Sequence, residues 1–337
     1  MGGWTYSKAG VDLSRHVGLH KVALETALRV NSRVGLKFGG LGGFSSWVEI
    51  GNTKIALHID GVGTKSLVAC KLGKYEVIGW DAVIVNVNDV VCGGFRPISL
   101  VSYIAMSEPN EEIYRGVFKG IEEASIANNI AILGGETALL PGLLNGVDVA
   151  CALLGIREFD AGFTAHKNDV VVGLRSNGIH ANGYSLVRKV IESTVGYEAS
   201  VDGVRLSEEL VKPVANYGPL VLEAFRNNLI SAAAHITGGA FRKVKRIISN
   251  KLDIVINAPK PPKIFEVIMN LGNISPKEMY SVFNMGIGMV LTLREDHLGE
   301  FRLLANKHGI EALELGYVSD GKGNVLINTP YGDLIEF

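Results

Sequence analysis

Three cysteines, Cys70, Cys92 and Cys151, are too few and too far apart for a disulfide framework, and no two of them form the C-x-x-C pair of a structural zinc site. That usage fits a reducing cytosol. Charge of neither sign dominates. The 33 Lys and Arg stand against 34 Asp and Glu, a formal net charge of −1, so no basic excess advertises nucleic acid and no acidic tail is present. No uncharged apolar run reaches the ~18 residues of a membrane span. The opening Met1-Gly2-Gly3-Trp4 lacks the basic start and apolar stretch of a signal peptide. The expectation is a cytoplasmic chain that binds neither membrane nor nucleic acid. Apolar residues, at 47% of 337, supply two packed cores at ~150 residues per domain. Glycine is in excess, with 41 residues against a usual ~7%. It gathers in short loops between apolar runs, as backbone that approaches a ligand closely would require.

Val/Ile/Leu/Ala-rich runs at 55–59, 82–87, 98–104, 130–133 and 149–155 read as strands. Residues 111–128 read as a helix. Asn110 caps it, Glu111 and Glu112 sit in its first turn, and Ile113, Val117, Ile121 and Ala124 make one stripe. Such alternation predicts an α/β or α+β protein. The polar stretch 157–168 places a domain boundary near 160–168, dividing a domain at 1–160 from one at 168–337. The second half reads strand (170–174), helix (185–192), a helix-rich middle, and strands at 254–256, 289–293 and 313–318. Pro259-Lys260-Pro261-Pro262 is a stiff connector within it.

Four loops look chemical. Asp60-Gly61-Val62-Gly63-Thr64-Lys65 follows a strand and combines an acid, two glycines, a hydroxyl and a cation, which suits a polyphosphate with Mg²⁺ on Asp60. It lacks Walker A spacing, and an ordinary turn explains it equally well. Asn88-Asp89 breaks an apolar stretch, either to cap the next helix or to face a ligand. Gly134-Gly135-Glu136-Thr137 places an acid at a strand end, where α/β sites gather. Ser176-Asn177-Gly178-Ile179-His180-Ala181-Asn182-Gly183 opens a helix, with His180 as an acid, a base or a structural hydrogen bonder. Two glycine-rich stretches in the second half, His235-Ile236-Thr237-Gly238-Gly239 and Phe283-Asn284-Met285-Gly286, serve ligand or packing. Gly39-Gly40-Leu41-Gly42-Gly43-Phe44 is a linker or a lid. Two signals are discounted. His16 and His20 have no third ligand nearby, and Cys92 has nothing local to lower its pKa.

Taken in order, Tyr6 with Ala9-Gly10-Val11-Asp12, Asp60–Lys65, Asn88-Asp89, Gly134–Ala138 with Pro141-Gly142, His180–Arg188, His235–Gly239 and Phe283–Met289 form a set. This set closely resembles the phosphoribosylformylglycinamidine cyclo-ligase (AIR synthetase) family of purine biosynthesis, end to end. The resemblance implies two α/β domains, the N-terminal ones pairing their sheets across a homodimer with ATP near that interface. It implies the reaction ATP + formylglycinamidine ribonucleotide → ADP + phosphate + aminoimidazole ribonucleotide, with Mg²⁺. Carried over residue by residue, Asp60, Asp89 and Glu136 would surround Mg²⁺. Gly42, Gly43, Asp60, Gly61, Gly63, Thr64, Lys65, Gly134, Gly135 and Thr137 would hold ATP and its phosphates. Asn182, Thr237 and Gly238 would hold substrate, and His180, His235 and Lys65 would be catalytic. The chain departs from the family's usual residues at Ile59 (Thr), Ser102 (Asp), Leu140 (Met), Ala181 (Ser) and Ala240 (Gly). Ser102 removes a carboxylate. A sister ATP-dependent kinase or synthetase, or a catalytically weakened paralogue, is the alternative.

Overall fold

The computed structural model describes residues 3–159 and 163–337, with backbone alone for 13–17. Six strands form a first sheet: β1 (Phe38–Gly39), β2 (Trp47–Ile50), β3 (Thr53–Gly61), β4 (Phe95–Met106), β5 (Ala131–Leu139) and β6 (Val147–Arg157), in the order β1-β2-β3-β6-β4-β5. Only β4 and β5 run parallel. Helices α1 (Leu13–Val34), α2 (Lys65–Lys71), α3 (Tyr75–Cys92) and α4 (Glu111–Ala127) belong to this half. The second sheet begins at β7 (Val170–Arg175). After α5 (Tyr184–Ser193), the hairpin β8 (Ser200–Val201) and β9 (Val204–Arg205), α6 (Leu206–Glu209) and α7 (Gly218–Arg226), it continues with β10 (Ala232–His235). A 3-10 helix, Ala240–Ile247, leads to β11 (Leu252–Asn257), α8 (Lys263–Gly272), α9 (Pro276–Val282) and β12 (Ile287–Leu293). The chain ends with α10 (Leu298–Lys307), β13 (Ala312–Asp320), β14 (Val325–Asn328) and β15 (Leu334–Glu336). This sheet is ordered β10-β12-β7-β13-β11-β14-β15, with only β11 and β14 parallel.

Helix α3 organises the molecule. From Ile78 to Cys92 nearly every residue is buried, because α3 lies between the first sheet and the second half, touching β10 and α7. A helix apolar on all sides has to be buried on all sides. Residues 82–87, expected as a strand, lie inside it, and Asn88-Asp89 occupies its last turn and does not cap a later helix. It meets α4 backbone to backbone. A Cβ on Gly79 would stand 1.8 Å from the Val117 carbonyl oxygen, and one on Gly120 would stand 1.9 Å from that of Glu76. The Asn110 cap is as expected, its side chain accepting from the Ile113 N–H at 3.0 Å.

The Gly134-Gly135-Glu136-Thr137 stretch is strand β5, not a loop. Between the pairs Leu100/Ile132 and Val101/Gly134 the register takes up one extra residue, with Gly134 at φ 137°, so the glycine forms a bulge. Gly135 lies so close to β4 that a Cβ there would meet the Ser102 carbonyl oxygen at 2.2 Å.

Polar side chains of α3 stitch the halves together. Trp80 Nε1–H donates to the Val214 carbonyl at 2.9 Å, and Asp81 Oδ1 accepts from Val214 N–H at 2.7 Å. Asn88 donates to the Ala215 carbonyl at 2.9 Å and accepts from Tyr217 N–H at 3.0 Å. The segment 212–217 is thereby laid along α3.

Candidate functional site

Beside this seam a cleft of about 960 Å³ opens. Strand β3 brings His58 and Asp60, α3 brings Asp89, and the stretch after β10 brings Thr237, Gly238 and Gly239. Arg242, Lys243 and Arg246 come from the 3-10 helix, Asn182 from the turn before α5, and Tyr6, Val11, His20 and Gly43 from the N-terminal segment. His58 and Asp60 share a face because strand residues two apart point the same way.

Asp89 is the hub. Its carboxylate is 4% exposed. Oδ1 accepts from His235 Nδ1 at 2.6 Å, and Oδ2 stands 3.3 Å from His58 Nε2 and 3.7 Å from the Lys243 ammonium. Burial opposes its charge, but Lys243 and the two histidines outweigh burial and hold it well below the usual carboxylate range. Burial alone would lower His58; its bond to Asp89 and the Asp89 charge outweigh that and raise it. His58 Nδ1 is fixed by Asn86 Oδ1 at 2.7 Å. Burial, and then the Asp89 charge, raise Asp60, whose Oδ1 accepts from Gly61 N–H at 2.8 Å. His235 is 1% exposed, and its Nε2 has no hydrogen-bond partner among the described residues.

Several expected site residues line this cleft, Asp60, Asp89, Asn182, Thr237, Gly238 and Gly43, and His235 is buried behind Asp89. Asn182 Nδ2 donates to Thr237 Oγ1 at 2.7 Å across the cleft wall. The glycine-rich turn is anchored, not loose: Gly43 N–H donates to the Gly40 carbonyl at 3.0 Å, and Ser45 Oγ approaches the Asp89 and Val90 carbonyls. Gly42 sits in this turn at φ 81° with open space around it.

Others are placed elsewhere. Lys65 is 0% exposed; its ammonium donates to Asp81 Oδ2 and to the Lys212 carbonyl, both at 2.6 Å, so it belongs to the seam and reaches no phosphate in the cleft. Thr64 Oγ1 lies 3.2 Å from Ser185 Oγ and does not line the cleft. Gly63 opens the turn at φ 62°, and Gly61 is pressed against Val149 and Ala150. His180, at φ 66° and 3% exposed, accepts at Nε2 from Asn177 N–H (3.3 Å) and Ala215 N–H (3.4 Å). Burial holds it well below the usual imidazole value, so it is a neutral brace in the seam, not a proton carrier for the cleft. Asn284 braces the same turn, donating to the Gly178 and Ile179 carbonyls at 2.9 and 3.0 Å.

Glu136 does not join Asp60. The register aligns Asp60, Cys151, Ser102 and Gly135 in one row on the inner face. Glu136 aligns with Tyr103 and Ala150 on the outer face, three strands and about 14 Å away at ~4.8 Å per strand. Gly134, Gly135 and Thr137 share that distant edge, where Thr137 Oγ1 lies 3.1 Å from the Tyr114 hydroxyl. The trio Asp60, Asp89 and Glu136 is therefore not assembled within one chain, and no three His, Cys, Asp or Glu converge as a metal site among the described residues. Mg²⁺ bound through phosphates needs only one or two carboxylates. Asp60, beside the Asp89 carboxylate and on the cleft lining, would meet that demand. Ser102 is buried two strands from Asp60, so a carboxylate there would stand about 10 Å from it. Of the discounted signals, the His16 side chain lies outside the described residues, and Cys92 is buried with its thiol pushed up by burial.

His58, Arg242, Lys243 and Arg246 were missed. Strand alternation through His58-Ile59-Asp60, and the run Arg242-Lys243-Val244-Lys245-Arg246 directly after paired glycines, were the available signals.

Two family models match the chain: AIR synthase related protein, N-terminal domain, over residues 45–157, and AIR synthase related protein, C-terminal domain, over residues 166–328. The phosphoribosylformylglycinamidine cyclo-ligase of Sulfurisphaera tokodaii is 39% identical over 320 residues, 94% of this chain and 95% of that one. Its namesake in Saccharolobus solfataricus is 40% identical over 319 residues, 94% of each. Among solved structures, AaThiL complexed with AMPPCP and TMP superposes with a TM-score of 0.66 at 17% identity, covering 95% of this chain and 94% of that one, a likeness of fold.

Proposed function

The chain belongs to the phosphoribosylformylglycinamidine cyclo-ligase family, and from that membership we propose that it closes formylglycinamidine ribonucleotide to aminoimidazole ribonucleotide at the expense of ATP, in the cytoplasm. The observation that carries this reading is the cleft where Asp60 and Asp89, the latter backed by His235, meet Asn182 and Thr237. An amide oxygen leaves poorly as hydroxide. Mg²⁺ and ATP, when bound, supply the phosphoryl group that makes that oxygen leave as phosphate, with Asp60 the carboxylate suited to the metal.

This chain's residues do the rest. Asp89 accepts the Nδ1 proton of His235 and leaves its Nε2 bare and buried behind the cleft lining, and to this nitrogen we assign the proton that the attacking amidine nitrogen sheds. Asn182 and Thr237 hold each other in place to orient substrate. Residues 1–160 would hold nucleotide and metal, and 168–337 substrate. The seam along α3 argues against closure by rotation of one half on the other, which leaves the N-terminal segment to shield the cleft.

We also propose a homodimer. On the outer face of the first sheet Leu57 is 70% exposed, Ile59 68%, Val101 43% and Tyr103 41%, a surface that pairing would cover along with Glu136. Light scattering at micromolar protein is expected to give twice the chain mass; a monomer refutes it. For the chemistry, substrate carrying heavy oxygen in its formyl group is expected to release inorganic phosphate containing that oxygen. Label found in water instead would show that the oxygen was never phosphorylated.

A further inference from the structure

One wall of the cleft carries three cations on a single short helix. Lys243 is the inner one, 17% exposed, and its one ion pair among the described residues is the 3.7 Å approach to Asp89, which is already held by two histidines. Its donors are not spent on Asp89, because 3.7 Å is beyond a hydrogen bond. Arg242 and Arg246 line the same cleft, and neither forms an ion pair among the described residues. They are not loose either. The Arg246 guanidinium lies 5.0 Å from the centre of the Phe44 ring and the Lys243 ammonium 5.9 Å from it, while Arg242 lies over Phe337 at 4.7 Å. Phe44 is itself 7% exposed and held in place by its neighbour Ser45 on the end of α3. Aromatic rings thus fix two guanidinium groups that have no ion-pair partner among the described residues, beside a lysine that only leans on Asp89. Directly before this helix come Thr237, Gly238 and Gly239, with Asn182 bonded to Thr237.

We propose that Arg242, Lys243 and Arg246 form the seat of a phosphate dianion, the terminal phosphate of the ribonucleotide substrate, and thereby set specificity for a phosphorylated ribose. Two arguments favour this phosphate over the polyphosphate of ATP. The cations belong to the second half, next to Asn182 and Thr237, whereas the acid suited to a metal-bearing polyphosphate, Asp60, belongs to β3 of the first half. A guanidinium pair with an ammonium also matches a terminal dianion by fork geometry and point charge together. The assignment rests on the cyclo-ligase reading for the identity of the substrate, not for the presence of the seat.

The test uses the full chain, with ribose 5-phosphate, ribose and ATP as separate probes in calorimetric titration. Wild type is expected to bind ribose 5-phosphate and not ribose. The double variant R242Q/R246Q is expected to weaken ribose 5-phosphate about 30-fold or more and ATP by less than about threefold. Arg246→Lys, which keeps the charge but loses the fork, is expected to bind ribose 5-phosphate more weakly than wild type and more tightly than the double variant. In turnover, KM for the formyl substrate is expected to rise at least about tenfold more than kcat falls. Ribose 5-phosphate binding that is absent in wild type, or equal in wild type and the double variant, overturns the proposal. So does a loss confined to ATP, which would assign the cations to the polyphosphate. A wild-type chain that binds ribose 5-phosphate through these residues yet fails to cyclise the formyl substrate supports the seat and sinks the cyclo-ligase reading alone.

Discussion

Helix α3 presents two aspartates eight residues apart, Asp81 and Asp89, and each faces a lysine from another element. The Asp81–Lys65 pair is 2.6 Å apart with both side chains 0% exposed, and the second carboxylate oxygen and a second ammonium proton are committed to the segment 212–217. The Asp89–Lys243 pair is 3.7 Å apart at the wall of a cleft, with the carboxylate turned to two histidines and the lysine only leaning on it. Residue types are the same; coordination is not. A charge pair whose hydrogen bonds are all closed holds structure. One left open beside space holds a ligand or moves a proton.

That contrast breaks most visibly at the seam. Asp81→Ala leaves the Lys65 ammonium buried without its partner, which costs about 3–5 kcal/mol and lowers Tm by roughly 10 °C. Lys65→Met with Asp81→Leu, which removes both charges, is expected to recover most of that loss. Thermal melts of the three variants decide it; a single Lys65→Met that melts like wild type but has lost turnover would return Lys65 to the cleft.

Asp60→Asn is nearly isosteric and is expected to melt within a degree or two of wild type. Its kcat should fall about 100-fold or more, because charge on the transferring group loses its counterweight. Steady-state rates on folded protein measure it, and near-wild-type turnover removes Asp60 from the site.

Thr237→Val keeps the shape and removes the acceptor of the 2.7 Å bond from Asn182. KM for substrate is expected to rise about fivefold, the worth of one hydrogen bond, with melting little changed. An unchanged KM would leave the pair as packing.

The smallest effect concerns pH. His58 is raised above its ordinary value by Asp89 against the pull of burial. The stability its protonation contributes is therefore complete below about 6.5 and drains away as pH rises through the raised value. The Tm gap between wild type and His58→Asn should shrink by about 1–2 °C on going from pH 6 to pH 9. A gap that widens over that range reverses the assignment.

Much of this was readable beforehand. Strands β3 to β7 and β11 to β13 and the Asn110-capped helix follow from alternation and capping, whereas β1, β2, β10, β14 and β15 were not anticipated. The run 82–87 misled because a short apolar stretch looks alike in a central strand and in a helix buried on every side. Glu136 misled because glycines beside an acid read as a loop, when they are there to let β5 bulge and press against β4. Lys65 and His180 carry reactive groups in family motifs, yet the chain spends both on holding the halves together. Nothing in a linear sequence separates such a residue from a catalytic one; only the count of partners does. The cations after Gly239 were legible as a cluster, but not as facing Phe44, 200 positions earlier in the chain.

The seam also has a cost in time. Lys65, Trp80, Asp81 and Asn88 find their partners 127 to 147 residues further along the chain. At ~5–20 residues per second, a ribosome delivers those partners on the order of 10 s later. Until then the first half holds a lysine without its Lys212 partner and two aspartates' worth of unmet polar demand on α3. A nascent chain stalled before residue 212 should accordingly be the species that chaperones hold and proteases clear, although every strand of its own sheet has already been made.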